Sequence, residues 1–341
     1  MNLRQLAEHL QLSQTTVSRA LNGYPEVSEA TRQRVIRTAR ELNYSPNSRA
    51  KGLATGRSMA IGHVIPVSDR HQMVNPVFGD FISGAGEVYA ASGYDMVMSL
   101  VGEGGEEDLY RSIRARGNVD GMVVHGPRLD DGRISLLNSL GLPFVVHGRA
   151  SRIEEPYAWV DSNSERAFER ATTHLLDLGH RRIALINGHE DMDFAHRRRL
   201  GYETALAAHD VQPEPARMCA GEMTELFGHE VALDLLHGKD APTAFLVSSL
   251  IAAIGVRRAV QELGLIPGRD VSIVTHDDDL SYMKNGADVP IFTATRSSVR
   301  EAGRHAAQML LSMIAAPQAP RPTRLMEAEF ILGASTGPAP V

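Results

Sequence analysis

The sequence predicts an α/β protein: an N-terminal all-α head followed by a two-lobed body of parallel sheets flanked by helices. Three observations carry that prediction. A chain of 341 residues is too long for one ordinary domain. Its charge is divided: residues 1–57 hold nine basic and four acidic side chains, net +5, which leaves 26 basic against 37 acidic, net −11, in the remainder. From Met59 onward, short apolar runs alternate with longer helical stretches, the rhythm of parallel strands covered by helices. The layout expected is a head over 1–45, a linker over 46–58, a body over 59–332 and a flexible tail over 333–341.

The head reads as three short helices. Leu3, Leu6, Ala7 and Leu10 recur at helical spacing. Ser13 offers an N-cap to a second helix, Gln14–Leu21, whose Val17, Ala20 and Leu21 face inward. Asn22-Gly23 stops it, and Ser28 caps a third helix with Val35, Ala39 and Leu42 as its buried stripe. Two short helices joined by a three-residue turn and braced by a third make a helix-turn-helix unit. The outer face of the second helix carries Gln14, Thr15, Ser18 and Arg19, donors and acceptors with the reach for base edges. Thr16 and the third-helix arginines are expected on phosphates, which position without reading sequence. A polar helix face can also be solvated surface and nothing more, but a basic head on an acidic body directs nucleic acid to the head.

The run Leu12-Ser13-Gln14-Thr15-Thr16-Val17-Ser18-Arg19-Ala20-Leu21-Asn22-Gly23 is followed by Val27-Ser28-x-x-Thr31-Arg32 and by Leu42-Asn43-Tyr44-x-Pro46-Asn47. This pattern resembles the lactose/galactose-repressor (LacI/GalR) family of bacterial transcription regulators, and the resemblance extends over nearly the whole chain. It implies a periplasmic-binding-protein-like body and a sequence-specific regulator, a repressor by the family's commoner sign. It also implies a homodimer on near-palindromic operator DNA, whose operator affinity is set by a sugar or glycoside bound between the lobes. By the same resemblance, the segment after Tyr44-x-Pro46 is a hinge that becomes helical on operator DNA, with Leu53 wedging into the minor groove. Pro46 can start such a helix, while Gly52 and Gly56 keep it unstable alone. Asn22, Tyr44, Asn47, Arg49 and Ala50 complete the residues expected at DNA.

In the body, the apolar runs predict strands over 60–67, 95–100, 121–125, 143–147, 182–187, 244–248 and 271–276, with helices over 78–92, 164–178, 200–208 and 251–263 among them. Five of those runs end in polar residues: His125-Gly126, His147-Gly148-Arg149, Asn187-Gly188, Ser248-Ser249 and Thr275-His276-Asp277. Ligands of open α/β sheets bind at the carboxyl ends of strands, and such residues suit a polyhydroxylated ligand, although polar residues also mark strand ends for no other reason. Leu178-Gly179-His180-Arg181-Arg182-Ile183-Ala184 and Arg198-x-x-Gly201-Tyr202 are similar to family signatures. The resemblance implies that Arg198 clamps effector, that Asp277 binds it from a strand end, and that Phe78 packs on its ring. His125, His147, Arg149 and Ser249 complete the expected site. Arg198 could instead be a surface member of Arg197-Arg198-Arg199. The sequence departs from the family where Gly148 replaces a frequent aspartate and Ser249 a frequent asparagine, and Met223 falls near an often aromatic position.

Other chemistry finds little support. Cys219, the one cysteine, excludes an intramolecular disulfide framework. No apolar run approaches the ~18 residues of a membrane span, and the first residues lack a signal-peptide layout, so a cytoplasmic protein without membrane contact is expected. Gly102-Glu103-Gly104-Gly105 and Ser83-Gly84-Ala85-Gly86 lack the spacing of a phosphate loop, and His276-Asp277-Asp278-Asp279 has no companion histidine at ligand spacing. No Gly-x-Ser-x-Gly elbow nominates a nucleophile. No cofactor, metal or enzyme activity is therefore expected. Two rivals remain: a transporter's solute-binding protein, which would have no use for the basic head, and a sugar-modifying enzyme with an accessory DNA domain. The Gly/Pro/Ala ending, Gly333 to Pro340, cannot form a leucine-heptad tail, which leaves a dimer as the expected assembly.

Overall fold

The structure is a computed structural model that describes residues 1–21, 23–44, 57–66, 75–102 and 104–340. The chain forms two compact units, the first Met1–Met59 with Gly117–Val119 and the second Ala60–Arg116 with the residues from Asp120 onward. The first holds α1 (Leu3–Leu10), α2 (Gln14–Leu21) and α3 (Glu29–Glu41). Each start is capped as its sequence requires. Asn2 and Gln5 form a reciprocal capping box, and the Ser13 and Ser28 hydroxyls accept from the amides of Thr16 (3.0 Å) and Thr31 (3.3 Å). Leu6, Val17 and Val35, all fully buried, join the three helices into one core with Leu10, Ala20 and Ala39.

The second unit contains two six-stranded sheets. The first lobe has β1 (Ala60–Pro66), α4 (Pro76–Ala91), β2 (Asp95–Val101), α5 (Glu106–Arg116), β3 (Gly121–His125), α6 (Gly132–Leu140), β4 (Phe144–His147) and β5 (Ala158–Ser162). The second has α7 (Ser164–Asp177), β6 (Ile183–Asn187), α8 (Asp193–Ala208), β7 (Met218–Ala220), α9 (Glu225–His237), β8 (Ala244–Val247), α10 (Leu250–Glu262), β9 (Ser272–Asp277) and β10 (Thr293–Arg296). The chain then returns through α11 (Val299–Ala315) and β11 (Thr323–Met326) to the first lobe, and ends in the second with β12 (Glu329–Ile331). The orders are β11-β5-β4-β3-β1-β2 and β12-β10-β9-β8-β6-β7, parallel except for β12 against β10.

Strand side chains alternate between two covered faces, which is why these runs read as continuously apolar. In β6, Ile183 and Leu185 pack under α7 and α8, whereas Ala184 and Ile186 pack under α10. In the first lobe, Ile61, Val123 and Val145 meet α4 and α11 through Phe81, Tyr89, Ala306 and Leu310. Three crossovers therefore join the lobes, at residues 162–164, 297–299 and 327–328. They are tied together: Asn163 donates its amide to Met326 O (2.8 Å) and its side-chain nitrogen to Glu327 Oε1 (2.8 Å), and Ser162 Oγ donates to Ser297 Oγ (3.2 Å).

Helices pack closely where small residues allow it. A Cβ on Gly201 of α8 would lie 2.1 Å from Glu165 O of α7. Gly201→Ala is therefore expected to lose about 1–3 kcal/mol by overpacking, less the fraction of a kcal/mol gained in helix propensity. Urea unfolding measures it, and a neutral or stabilising result would mean that the α7–α8 contact is slack.

Two expectations are corrected. The expected helix over 200–208 begins at Asp193, because the inward positions of its first turns are occupied by Arg197 and Arg198 in place of apolar side chains. Residues 333–340, expected as a flexible tail, are instead pinned to the second lobe. Ser335 exchanges hydrogen bonds with Ile273 and its hydroxyl also takes the Thr293 amide (3.0 Å), while Gly337 N donates to Ser272 Oγ (3.1 Å) and Ala339 N to Leu178 O (2.8 Å). Composition predicts a frayed end here because these contacts are backbone-driven and need no apolar side chains.

Candidate effector site and DNA-reading helix

On α2, Gln14, Thr15 and Arg19 are exposed and Ser18 is half-buried, so the face expected at base edges is outward. Thr16 is different, because its hydroxyl lies 2.8 Å from that of Ser13 within the helix cap. On α3, Arg32 and Arg34 donate to the carbonyls of Tyr24 (3.0 Å) and Leu10 (3.1 Å) and so brace the head. Arg37 and Arg40, like Arg34, are exposed. Tyr44 packs half-buried on the head core, and burial raises its hydroxyl pKa. Asn22, Asn47, Arg49, Ala50 and Leu53 lie outside the described residues.

In the body, the expected effector residues gather at the carboxyl ends of the two sheets. His125 and His147 are register partners on β3 and β4. Their rings pack with aromatics of α4: Phe78 lies 5.0 Å and Phe81 4.9 Å from His125, and Phe81 stacks on His147 at 4.2 Å, between ring centroids. Beneath them His63 of β1, fully buried, places Nδ1 3.0 Å from His125 Nε2. Burial pushes His63 down to about 3, His147 to about 4 and His125 well below the usual histidine range, so this wall is neutral at neutral pH.

Gly148 has φ +110°, and a Cβ there would meet Pro127 at 2.8 Å. A side chain at this position would therefore be strained as well as crowded. The neighbouring Arg149 donates to Asp161 Oδ2 (2.8 Å) and lies over the Trp159 ring at 5.1 Å.

The run Arg197-Arg198-Arg199 splits three ways. Arg199 faces outward to Glu190 (3.2 Å) and Glu203 (3.7 Å). Arg197 is buried and joins the lobes: Nη1 and Nη2 grip Asp161 of β5 (2.6 and 3.2 Å), and Nε donates to Asp193 (2.6 Å). Asp193 in turn accepts the Ser151 amide of the first lobe (2.7 Å). Arg198, only 7% exposed, lies between the rings of Phe168 (5.1 Å) and Phe194 (4.9 Å) and donates to Ser248 O (2.6 Å). Its Nε is buried with no partner among the described residues. Burial draws its pKa down to about 10, although Asp278 nearby favours the charged form.

Asp277 is committed elsewhere, accepting from Arg296 Nε (3.1 Å) and the Asp279 amide (2.9 Å). The half-buried Asp278 lies near enough to Arg198 to feel its charge; burial raises its pKa to about 6, with Arg198 offsetting only part of that. Ser249 caps α10, accepting the Ile251 amide (3.2 Å). The sequence reading singled out Arg198, beside which the structure places Asp278, Phe168 and Phe194, and it did not anticipate the Asp161–Arg197–Asp193 network. Phe194 was findable, one turn before Arg198 on the same helix face. Asp161 was not, since it lies 36 residues from Arg197.

Residues 2–47 match the family model "Bacterial regulatory proteins, lacI family", and residues 172–336 match "Periplasmic binding protein-like domain". The HTH-type transcriptional regulator AglR of Rhizobium meliloti is 42% identical, with all of this chain and 95% of AglR covered. RafR of Escherichia coli, also an HTH-type transcriptional regulator, is 30% identical over 92% of each chain. Among solved structures, the lac repressor dimer bound to operator and the anti-inducer ONPF has a TM-score of 0.85 at 25% identity, covering 99% of both chains. The complex of the transcriptional regulator CelR with cellobiose gives 0.72 at 27% identity, covering 98% of this chain and 99% of CelR. With capped helices in the head and two parallel sheets whose ends hold a buried arginine, the chain belongs to the LacI family of HTH-type transcriptional regulators.

Proposed function

We propose that this regulator is a cytoplasmic homodimeric repressor that reads a near-palindromic operator and is controlled by a saccharide or glycoside held at the sheet ends. The observation that carries the ligand class is the Arg198–Asp278 pair. It is a buried guanidinium held between two phenyl rings with a half-buried carboxylate close enough for each charge to act on the other. Adjacent sugar hydroxyls can accept from the one and donate to the other, while rings cover C–H faces. Cellobiose in the CelR complex supports the same class. Phe78, His125, His147 and Arg149 supply the opposite wall; Ser249 serves as helix cap beside it, and Asp277 as a support fixed by Arg296. The protein is not expected to turn its ligand over.

A panel of mono-, di- and trisaccharides including cellobiose, followed by thermal unfolding, tests the ligand class. At least one sugar should raise Tm by mass action, and no product should form. A panel without a stabilising sugar would discard the carbohydrate assignment. At DNA, Gln14, Thr15, Ser18 and Arg19 are assigned to base edges. Arg19→Ala is expected to relax discrimination at its base pair by about 1–3 kcal/mol in anisotropy titrations at fixed salt. Uniform weakening across sequences would make Arg19 a phosphate contact instead.

A further inference from the structure

A chain of polar contacts runs from Asp278 through His276, which is hydrogen-bonded onward, to the crossovers between the lobes, and nothing in the effector reading uses it. His276 lies near the end of β9 and Asp278 just beyond it, with the Asp278 carboxylate against the imidazole. The His276 imidazole is 2% exposed. Its Nδ1 lies 3.0 Å from Thr295 Oγ1, and its Nε2 lies 3.2 Å from Ser297 Oγ and 3.6 Å from Asp278 Oδ1. Ser297 sits in the second crossover and accepts from Ser162 of the first (3.2 Å).

We propose that His276 is a positioning residue that reports occupancy of the Arg198–Asp278 pair to the crossovers through Ser297 and Ser162. This rests on the effector reading of that pair. A neutral imidazole has one donor nitrogen and one acceptor nitrogen, and burial keeps His276 neutral. Because Ser162 donates to Ser297, the Ser297 hydrogen is free to donate to Nε2, leaving Nδ1–H for Thr295. In that arrangement an ionised Asp278 faces a lone pair. In the alternative, Nε2–H turns to Asp278 and the bond from Ser297 is given up. Both arrangements hold the same protons: the ring proton is on Nδ1 in one and on Nε2 in the other, and the two hydroxyls rotate to match. A sugar hydroxyl donating to Asp278 replaces the donor that the imidazole would supply, and releases His276 to Ser297. The element with two arrangements is thus a single ring, biased from the site and read at the crossovers, which is what physical coupling requires.

The test needs neither DNA nor sugar, so its failure is distinguishable from failure of the effector reading. On the full chain, ¹⁵N spectra report the His276 tautomer, and hydrogen exchange reports the Asn163 and Ser297 amides, which donate to Met326 O and Asp277 O. Asp278→Ala, which removes the competing carboxylate without adding a donor, should eliminate the Nε2–H fraction present in the unliganded protein, leaving the ring proton on Nδ1, and slow both amides about tenfold. In a Ser297→Ala background that slowing should vanish. Ser297→Ala alone, a change small enough to preserve the fold, should speed the Asn163 amide. An unchanged tautomer, or slowing that persists without the Ser297 hydroxyl, overturns the proposal, as does an Asn163 amide indifferent to Ser297→Ala.

Discussion

Arg197→Met is expected to destabilise the body by about 3–5 kcal/mol, the largest single-site effect in the chain. Arg197 is 4% exposed and the carboxylates it joins, Asp161 and Asp193, are 6% and 0% exposed. Methionine fills much of the volume but leaves two buried carboxylates, one with only Arg149 for a partner and the other with the Ser151 amide. An uncompensated buried charge costs more than the pair contributes, so the triple variant Arg197→Met/Asp161→Leu/Asp193→Leu should recover part of the loss. Because Asp161 belongs to the first lobe and Arg197 to the second, the single variant should also loosen the lobes against each other. Urea unfolding gives the first quantity. Hydrogen exchange at Ser151 gives the second, and a loss below 1 kcal/mol would mean that the network is solvated in solution.

Acidification is expected to weaken saccharide binding through Asp278. Its carboxyl is raised to about 6 by burial. Ligand hydroxyls that donate to it favour the ionised form, so the bound-state pKa lies below the free one. Affinity is then full above pH 6 and falls as pH drops below it, by up to tenfold per pH unit, until the bound-state value is reached. Other described groups near the pair do not titrate there, since His276 and His147 stay neutral and Arg198, at about 10, stays charged. The sign for the empty chain is opposite. A carboxyl with a raised folded pKa binds protons more tightly when folded, so through this group stability rises as pH falls through 6. Acid should therefore weaken binding before it unfolds the protein. Calorimetric titrations of the sugar found in the panel, at pH 7.5, 6 and 5, check this. Asp278→Asn should flatten the profile at about hundredfold weaker affinity, as expected when a buried hydrogen-bonding partner is removed.

The head was legible almost residue by residue, because its information is local. Caps at Ser13 and Ser28 and the spacing of Leu6, Val17 and Val35 specify three helices without reference to anything distant. The central strands were legible because burial on both faces makes them continuously apolar. Short strands such as β10, β11 and β12 were not, since Thr293–Arg296 and Thr323–Met326 are polar segments paired by backbone. In the site, residue types were readable but directions were not. Asp277 and Asp278 read alike in the sequence, and Arg296, 19 residues away, separates them by claiming Asp277 at the end of β9. The interlobe network is illegible for the same reason: Arg197 reads as one of three adjacent arginines until Asp161 and Asp193 are placed around it.

The measurement that most directly tests control of DNA binding from the sheet ends is a reciprocal one. Anisotropy with DNA from upstream of the gene, at fixed salt, gives operator affinity with and without the stabilising sugar. Calorimetry gives sugar affinity with and without that DNA. If one chain couples the two sites, both experiments must return the same factor, about tenfold for ~1.4 kcal/mol of coupling, and Arg198→Ala must abolish the sugar's effect while sparing DNA binding without sugar. Equal sugar affinity with and without operator, beside tight operator binding, would contradict the account.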